Sequence, residues 1–238
     1  MKKLLISLAA AGALALPALA QISPTGNYYL AGDWQGWNAG ANQMASLGGN
    51  LWQETVTGLT AGSRHEFEIT EGDWNWKYPG SGNGWFIADA GGNMTLTLDL
   101  NTYSDGYAPN PGRINATTDP GTWTAVGDWQ GWNNANAATL MTAQGGGIYE
   151  LSYVISAAGN YQYKAVDTGT WDAIGTDSRG VNANTWGFTT TAANQTVDFY
   201  VDALNGAIKV DVVAVPEPSS LALVGCGLVS LLALRRRQ

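Results

Sequence analysis

The chain has one cysteine, Cys226, and one histidine, His65, in 238 residues. A lone thiol excludes a disulfide framework. Basic residues are scarce too. Of the 11 Lys and Arg, Lys2, Lys3, Arg235, Arg236 and Arg237 sit at the two ends, leaving six between Gln21 and Ala214. That body holds 18 of the 19 acids, a net charge of −12, which argues against nucleic acid and anionic membrane surfaces as partners. It also lacks a sustained 3.6-residue apolar period, a serine elbow, a metal-ligand cluster and any spacing typical of a calcium loop. Neither a cofactor nor a metal is expected. His65 reads as a surface strand residue. Numerous acids leave a glycosidase-type carboxylate pair open on sequence alone.

What is present is aromatic. All 11 Trp and 10 Tyr fall in the body, with abundant Gly, Asn and Thr, a balance that suits short strands and tight turns. The hexapeptide Gly-Asp-Trp-Gln-Gly-Trp occurs at Gly32–Trp37 and again at Gly127–Trp132, 95 residues on. Such an exact repeat marks a tandem duplication. The copies run from about Gly26 to Leu100 and from about Gly121 to Val213. Each opens on an apolar strand and passes a Gly-rich turn, then strands at Leu51–Val56 or Ile148–Tyr153 and at His65–Ile69 or Tyr161–Ala165. Late strands close each unit, with Ala207–Val213 added in copy two. Alternation with turn signals every 8–12 residues predicts antiparallel β-sandwiches. The expected fold class is all-β: two tandem immunoglobulin-like sandwiches, over residues 21–102 and 121–213. Residues 103–120, with Pro109, Pro111 and Pro120, read as a semi-extended spacer between two separate cores.

The ends read as addresses. Residues 1–20 have a basic start, an apolar run and Ala18-Leu19-Ala20, which predicts a secretory signal helix cleaved between Ala20 and Gln21. Residues 214–238 carry Pro216, Glu217 and Pro218, an apolar run from Leu221 to Leu234, and Arg235, Arg236 and Arg237. That run makes a helix of about 21 Å against a hydrocarbon core of ~30 Å. The three arginines would stay cytoplasmic under the positive-inside rule. This tail resembles the PEP-CTERM sorting signal. The resemblance implies a Gram-negative bacterium, transient insertion of the tail helix in the inner membrane, recognition by an exosortase, and delivery to the envelope or the extracellular polysaccharide.

Each copy is similar to the starch- and glycogen-binding modules of carbohydrate-binding families 20 and 48. The similarity rests on the hexapeptide followed by Asn, a Met, a Gly turn with an aromatic strand, Tyr161-Gln162-Tyr163-Lys164 and a Trp-bearing turn. It implies sugar stacking on Trp132 and Trp171 with Lys164 beside them in copy two, and on Trp37 with Trp74 or Trp76 in copy one. Trp34 and Trp129 take a position that the family fills with a mostly buried Phe. Copy one has Glu68 where copy two has Lys164, so the pattern is more complete in copy two. An indole offers a rigid apolar plane to the C–H face of a pyranose. Asp172, Asp177, Ser178 and Arg179, or Asn75, Lys77 and Asn83, are placed to bond the hydroxyl rim. The bland alternatives stand beside this: Trp37 and Trp132 as loop-packing residues, and Lys164 as a solvated lysine. Trp52 and Tyr149 read as core, and Trp85 and Trp186 as packing under late strands. The expected function is non-catalytic binding of a polysaccharide, an α-glucan or the cell's own exopolysaccharide. The alternative is a structural or adhesive matrix protein using the sandwiches as spacers.

Overall fold

Strand alternation decides which side chains meet. In the segment Met94–Asp99 every second residue from Met94 is buried, and in Gln195–Asp202 the same holds for Val197, Phe199 and Val201. The computed structural model describes residues 26–80, 82–101, 103–107, 113–177, 179–180 and 182–214. No α-helix lies among them; the regular structure is strands and three short 3-10 turns. Both terminal addresses, including Ala20, Gln21, Pro216, Glu217, Pro218, Arg235, Arg236 and Arg237, lie outside the described residues, as do the two flanking helices.

Copy one contains β1 (Tyr29–Gly32), β2 (Ala45–Gly48), β3 (Leu51–Val56), β4 (Arg64–Thr70), β5 (Lys77–Tyr78), β6 (Gly84–Ile87), β7 (Met94–Asp99) and β8 (Arg113–Ala116). Copy two repeats the series as β9 (Trp123–Gly127), β10 (Thr142–Gly145), β11 (Ile148–Ile155), β12 (Gly159–Asp167), β13 (Ala173–Ile174), β14 (Trp186–Thr190), β15 (Gln195–Asp202) and β16 (Ala207–Val212). One sheet of copy one runs β2-β3-β7-β8. In the other, β1 flanks one edge of β4 while β5 and β6 share the opposite edge. Copy two has the same two sheets, β10-β11-β15-β16 and β9-β12 with β13 and β14. Every pairing is antiparallel, and facing sheets bury their inward side chains in sandwich fashion.

The spacer expected over 103–120 is corrected over part of its length. Arg113–Ala116 is a strand of copy one, paired with β7 from Leu96↔Ala116 to Asp99↔Arg113, and it is the counterpart of β16. Its Ile114 is fully buried, because a strand edge with an apolar inward residue is better paired than left extended.

The two expected cores form two clusters, and each borrows a residue from the other copy. Trp85 of copy one, 2% exposed, belongs to the core of copy two, where its ring stacks on Trp123 at 5.3 Å and 15°. Its indole N–H donates to Pro120 O at 3.0 Å. It does not pack under a late strand. Arg64 and Arg179 lie over the same ring at 4.2 and 4.3 Å. In return, the turn between β15 and β16 places Leu204 in the core of copy one. Beside it, Asn205 Oδ1 accepts from Tyr78 Oη and from Ile114 N, both at 2.7 Å. Arg113 pairs with Asp202 at 2.5 Å and also with Asp105, between the rings of Tyr103 and Tyr107. Burial pushes the Asp202 carboxyl above its ordinary range, and Arg113 and Asn205 oppose it. Each core thus takes in one large side chain from the other copy.

Candidate functional site

The hexapeptide is a corner, and most of its residues are fixed by the turn itself. Asp33–Gln35 and Asp128–Gln130 form one 3-10 turn each. The turn closes by a pair of bonds typical of a Schellman end: Trp37 N to Gly32 O at 2.9 Å and Gly36 N to Asp33 O at 3.3 Å. Copy two makes the same two bonds, from Trp132 to Gly127 O and from Gly131 to Asp128 O. Gly32 and Gly127 must lack a Cβ, since one there would collide with the ring of Trp34 or Trp129. Trp34 and Trp129 fold back onto the two cores, Trp129 stacked on Phe199 at 4.6 Å. Gln35 Nε2 bonds Leu30 O and Asn38 O, and Gln130 does the same to Ala125 O and Asn133 O. Gly36 and Gly131 sit at φ 69° and 74°. Only the last tryptophan is left for display. Trp37 and Trp132 are held at φ 61° and 56°, a left-handed conformation that costs a bulky residue about 1–2 kcal/mol.

The structure uses that display differently in the two copies. In copy one the Trp37 and Trp74 rings lie 6.3 Å apart at 48°, forming an angled pair, and Trp74 is 46% exposed. Trp76 turns the other way: its ring meets Tyr28 edge-on at 5.7 Å against the core. It is partly buried there. In copy two Trp171 is 44% exposed, and Lys164 Nζ stands 6.0 Å from its ring centroid. Partial burial lowers the Lys164 pKa. Trp132 covers a small outward cluster of Val126, Val166, Ala173 and Ala183. The fuller sequence pattern and the closer ring pair thus fall in different copies.

Most of the polar residues offered for a hydroxyl rim are engaged inside the protein. Asp172 and Arg179 belong to the junction, where Asp172 faces Arg64 at 3.8 Å and Arg179 bonds Asn83 O and Ala203 O. Asp177 accepts from Asn184. Asn75 is tied to Asp73, and Asn83 donates to Glu66 at 2.9 Å. Ser178 lies outside the described residues. Lys77 pairs with Glu68 at 2.8 Å. Glu68 is 1% exposed, and desolvation raises its pKa against the pull of Lys77 and Arg179. Where copy two presents a lysine, copy one buries an acid and supplies the lysine from the neighbouring strand.

One constellation has the residue types of an acyl-transfer triad, and the sequence reading did not anticipate it. His65 Nδ1 lies 2.7 Å from Asp33 Oδ1, and His65 Nε2 lies 2.8 Å from Ser63 Oγ. A neutral imidazole carries one N–H, and the acceptor-only Asp33 carboxylate claims it at Nδ1. The Ser63 hydroxyl has one proton and two acceptors in reach, His65 Nε2 and the Thr60 carbonyl at 2.5 Å. The chain ties the corner to β4, since Asp33 also accepts from Glu66 N. Among the described residues, no group of three His, Cys, Asp or Glu side chains is placed to hold a metal ion.

Residues 120–208 match the family model of the pullulanase X25 domain, and residues 214–237 match the PEP-CTERM protein-sorting motif. Copy two is thus similar to X25-type modules, and the C-terminus carries the sorting motif. That motif marks the chain for export and envelope sorting. Among solved structures, a pullulanase from Bacillus acidopullulyticus aligns at 18% identity with a TM-score of 0.30. The alignment covers 52% of this chain and 20% of that enzyme. No curated protein matches the chain.

Proposed function

We propose that the protein is an exported, envelope-sorted and non-catalytic binder of a neutral polysaccharide, an α-glucan or the cell's own exopolysaccharide. An exosortase-type enzyme would be the processing partner of its tail. The observation that carries this reading is the angled Trp37–Trp74 pair, with Trp74 exposed and Trp37 half-buried beside it, held by a corner in a left-handed conformation. The exposed Trp171 with Lys164 beside it is the second contact surface. Two surfaces on one chain gain avidity if a single polymer reaches both.

Affinity electrophoresis in gels containing glycogen, starch or dextran tests this. The wild type is expected to be retarded by at least one polymer. The Trp37→Ala/Trp74→Ala variant is expected to lose about 2 kcal/mol, or some thirtyfold, of that affinity. Free migration of the wild type in every gel sinks the reading. The alternative, a structural matrix protein, draws support from the exchanged core residues Trp85 and Leu204. It predicts unretarded migration with unchanged cell-surface deposition.

A further inference from the structure

The register of the two copies places Gly187 where copy one has Trp85. Glu66 pairs with Trp85 across β4 and β6, and Gln162 pairs with Gly187 across β12 and β14. In copy one that outward position carries the ring buried in the junction. In copy two it carries no side chain, and a Cβ built there would meet nothing within 4 Å. A cleft of about 280 Å³ lies over it. It is bordered by Asp128, Asn160, Gln162 and Thr189, with Tyr161 and Phe188 stacked at 5.7 Å as its aromatic wall.

We propose that this cleft binds one neutral hexose unit of the polysaccharide, as a contact separate from the tryptophan surfaces. The inference rests on the polysaccharide reading above and adds a site to it. Three observations carry it. The volume lies below the ~300–1,000 Å³ of pockets for drug-sized ligands, which suits a single sugar ring. The rim is built of planar amides, a hydroxyl and a carboxylate, groups that match a ring of alternating hydroxyl donors and acceptors. Third, Asp128 has an oxygen to spare. In copy one Asp33 accepts from His65 Nδ1 and from Glu66 N. In copy two the His65 position is Tyr161, whose hydroxyl turns away to Ala157 O. Asp128 Oδ1 accepts only from Gln162 N at 3.1 Å, and among the described residues its other oxygen has no donor. A carboxylate at the rim of an acidic body selects against uronic acids.

The test compares the full chain with Gly187→Trp, which restores the copy-one residue in open space, and with Asp128→Asn, which keeps the acceptor for Gln162 N. Both are run in gels containing glycogen, dextran or alginate. Each variant is expected to lower affinity for the neutral polymer by about threefold to tenfold, the scale of one or two hydrogen bonds. In a Trp37→Ala/Trp74→Ala background, Gly187→Trp should remove most of the remaining retardation. Alginate should retard neither the wild type nor the variants. Wild-type retardation unchanged in either variant overturns the cleft while leaving the polysaccharide reading intact. Equal retardation by alginate overturns the neutral-sugar assignment. A wild type that no polymer retards overturns both readings.

Discussion

The two copies share a corner and differ in what they do with the sheet beside it. Both close the hexapeptide turn with the same bonds, and both seat its first tryptophan on the core. On the outer face they part. Copy one carries Trp85 and Arg64, which dock on copy two. Copy two carries Gly187, Gln162 and Asn160, which border an open cleft. Copy one buries Glu68 against Lys77; copy two leaves Lys164 beside an exposed tryptophan. The duplication thus kept the residues that the turn dictates. Core positions changed size but stayed apolar or aromatic, as at Leu30 and Ala125 or Phe67 and Tyr163, while the outer faces became a joint in one copy and a surface in the other.

The largest effect should come from breaking the joint. Trp85→Ala removes a ring with 2% exposure that stacks on Trp123 and lies under two guanidinium groups. A loss of about 3–5 kcal/mol is expected in urea unfolding, the range for large aromatics cut to alanine. At the matching position, Gly187→Trp should change stability by less than about 0.5 kcal/mol. A Trp85→Ala cost below about 1 kcal/mol would show that the sandwiches stand independently.

Next in size is the corner. The nearest neighbours of a Cβ at Gly32 are ring atoms of Trp34, whereas at Gly127 they include the Gln162 carbonyl at 2.2 Å beside the ring of Trp129. A ring can shift and a paired backbone cannot. Both Gly32→Ala and Gly127→Ala should destabilise by about 1–3 kcal/mol, with Gly127→Ala the worse. Thermal unfolding of the two variants checks the order, and the reverse order contradicts this account of the corner.

These contrasts mark what could be read from residues alone. The all-β class and the corner positions were legible, because alternation and glycine spacing are local signals. The joint was not. Trp85, Leu204 and Asn205 act across sequence separations that no short pattern encodes, and Arg113–Ala116 carries too brief an alternation to stand out from its Pro-rich surroundings. The Pro-rich composition favoured a spacer, and burial of Ile114 overrode it. At the site, the exposed faces of Trp74 and Trp171 followed from their turns, but the inward rotation of Trp76 is set by Tyr28, a tertiary neighbour. The cleft at Gly187 became visible only once the registers of the two copies were aligned.

The smallest expected effect concerns the buried acid of copy one. Burial is the leading influence on Glu68 and raises its pKa, with Lys77 and Arg179 opposing. A folded-state pKa above the unfolded one means that the native protein binds this proton more tightly. The resulting stabilisation is complete below the ordinary glutamate value of 4.5 and is lost as pH rises through the raised pKa. Glu68→Gln imitates the protonated acid at every pH and leaves Lys77 with its exposed end in water. The variant should therefore match the wild type near pH 4 and gain on it as pH rises above about 4.5. The gain should level off once pH has passed the raised pKa. Melting temperatures of both proteins between pH 4 and 8 decide the matter. A wild type that gains on the variant with rising pH would mean that Lys77 and Arg179 outweigh burial. Glu68 would then be an attractive partner at the joint, with the opposite sign from the desolvated acid inferred here.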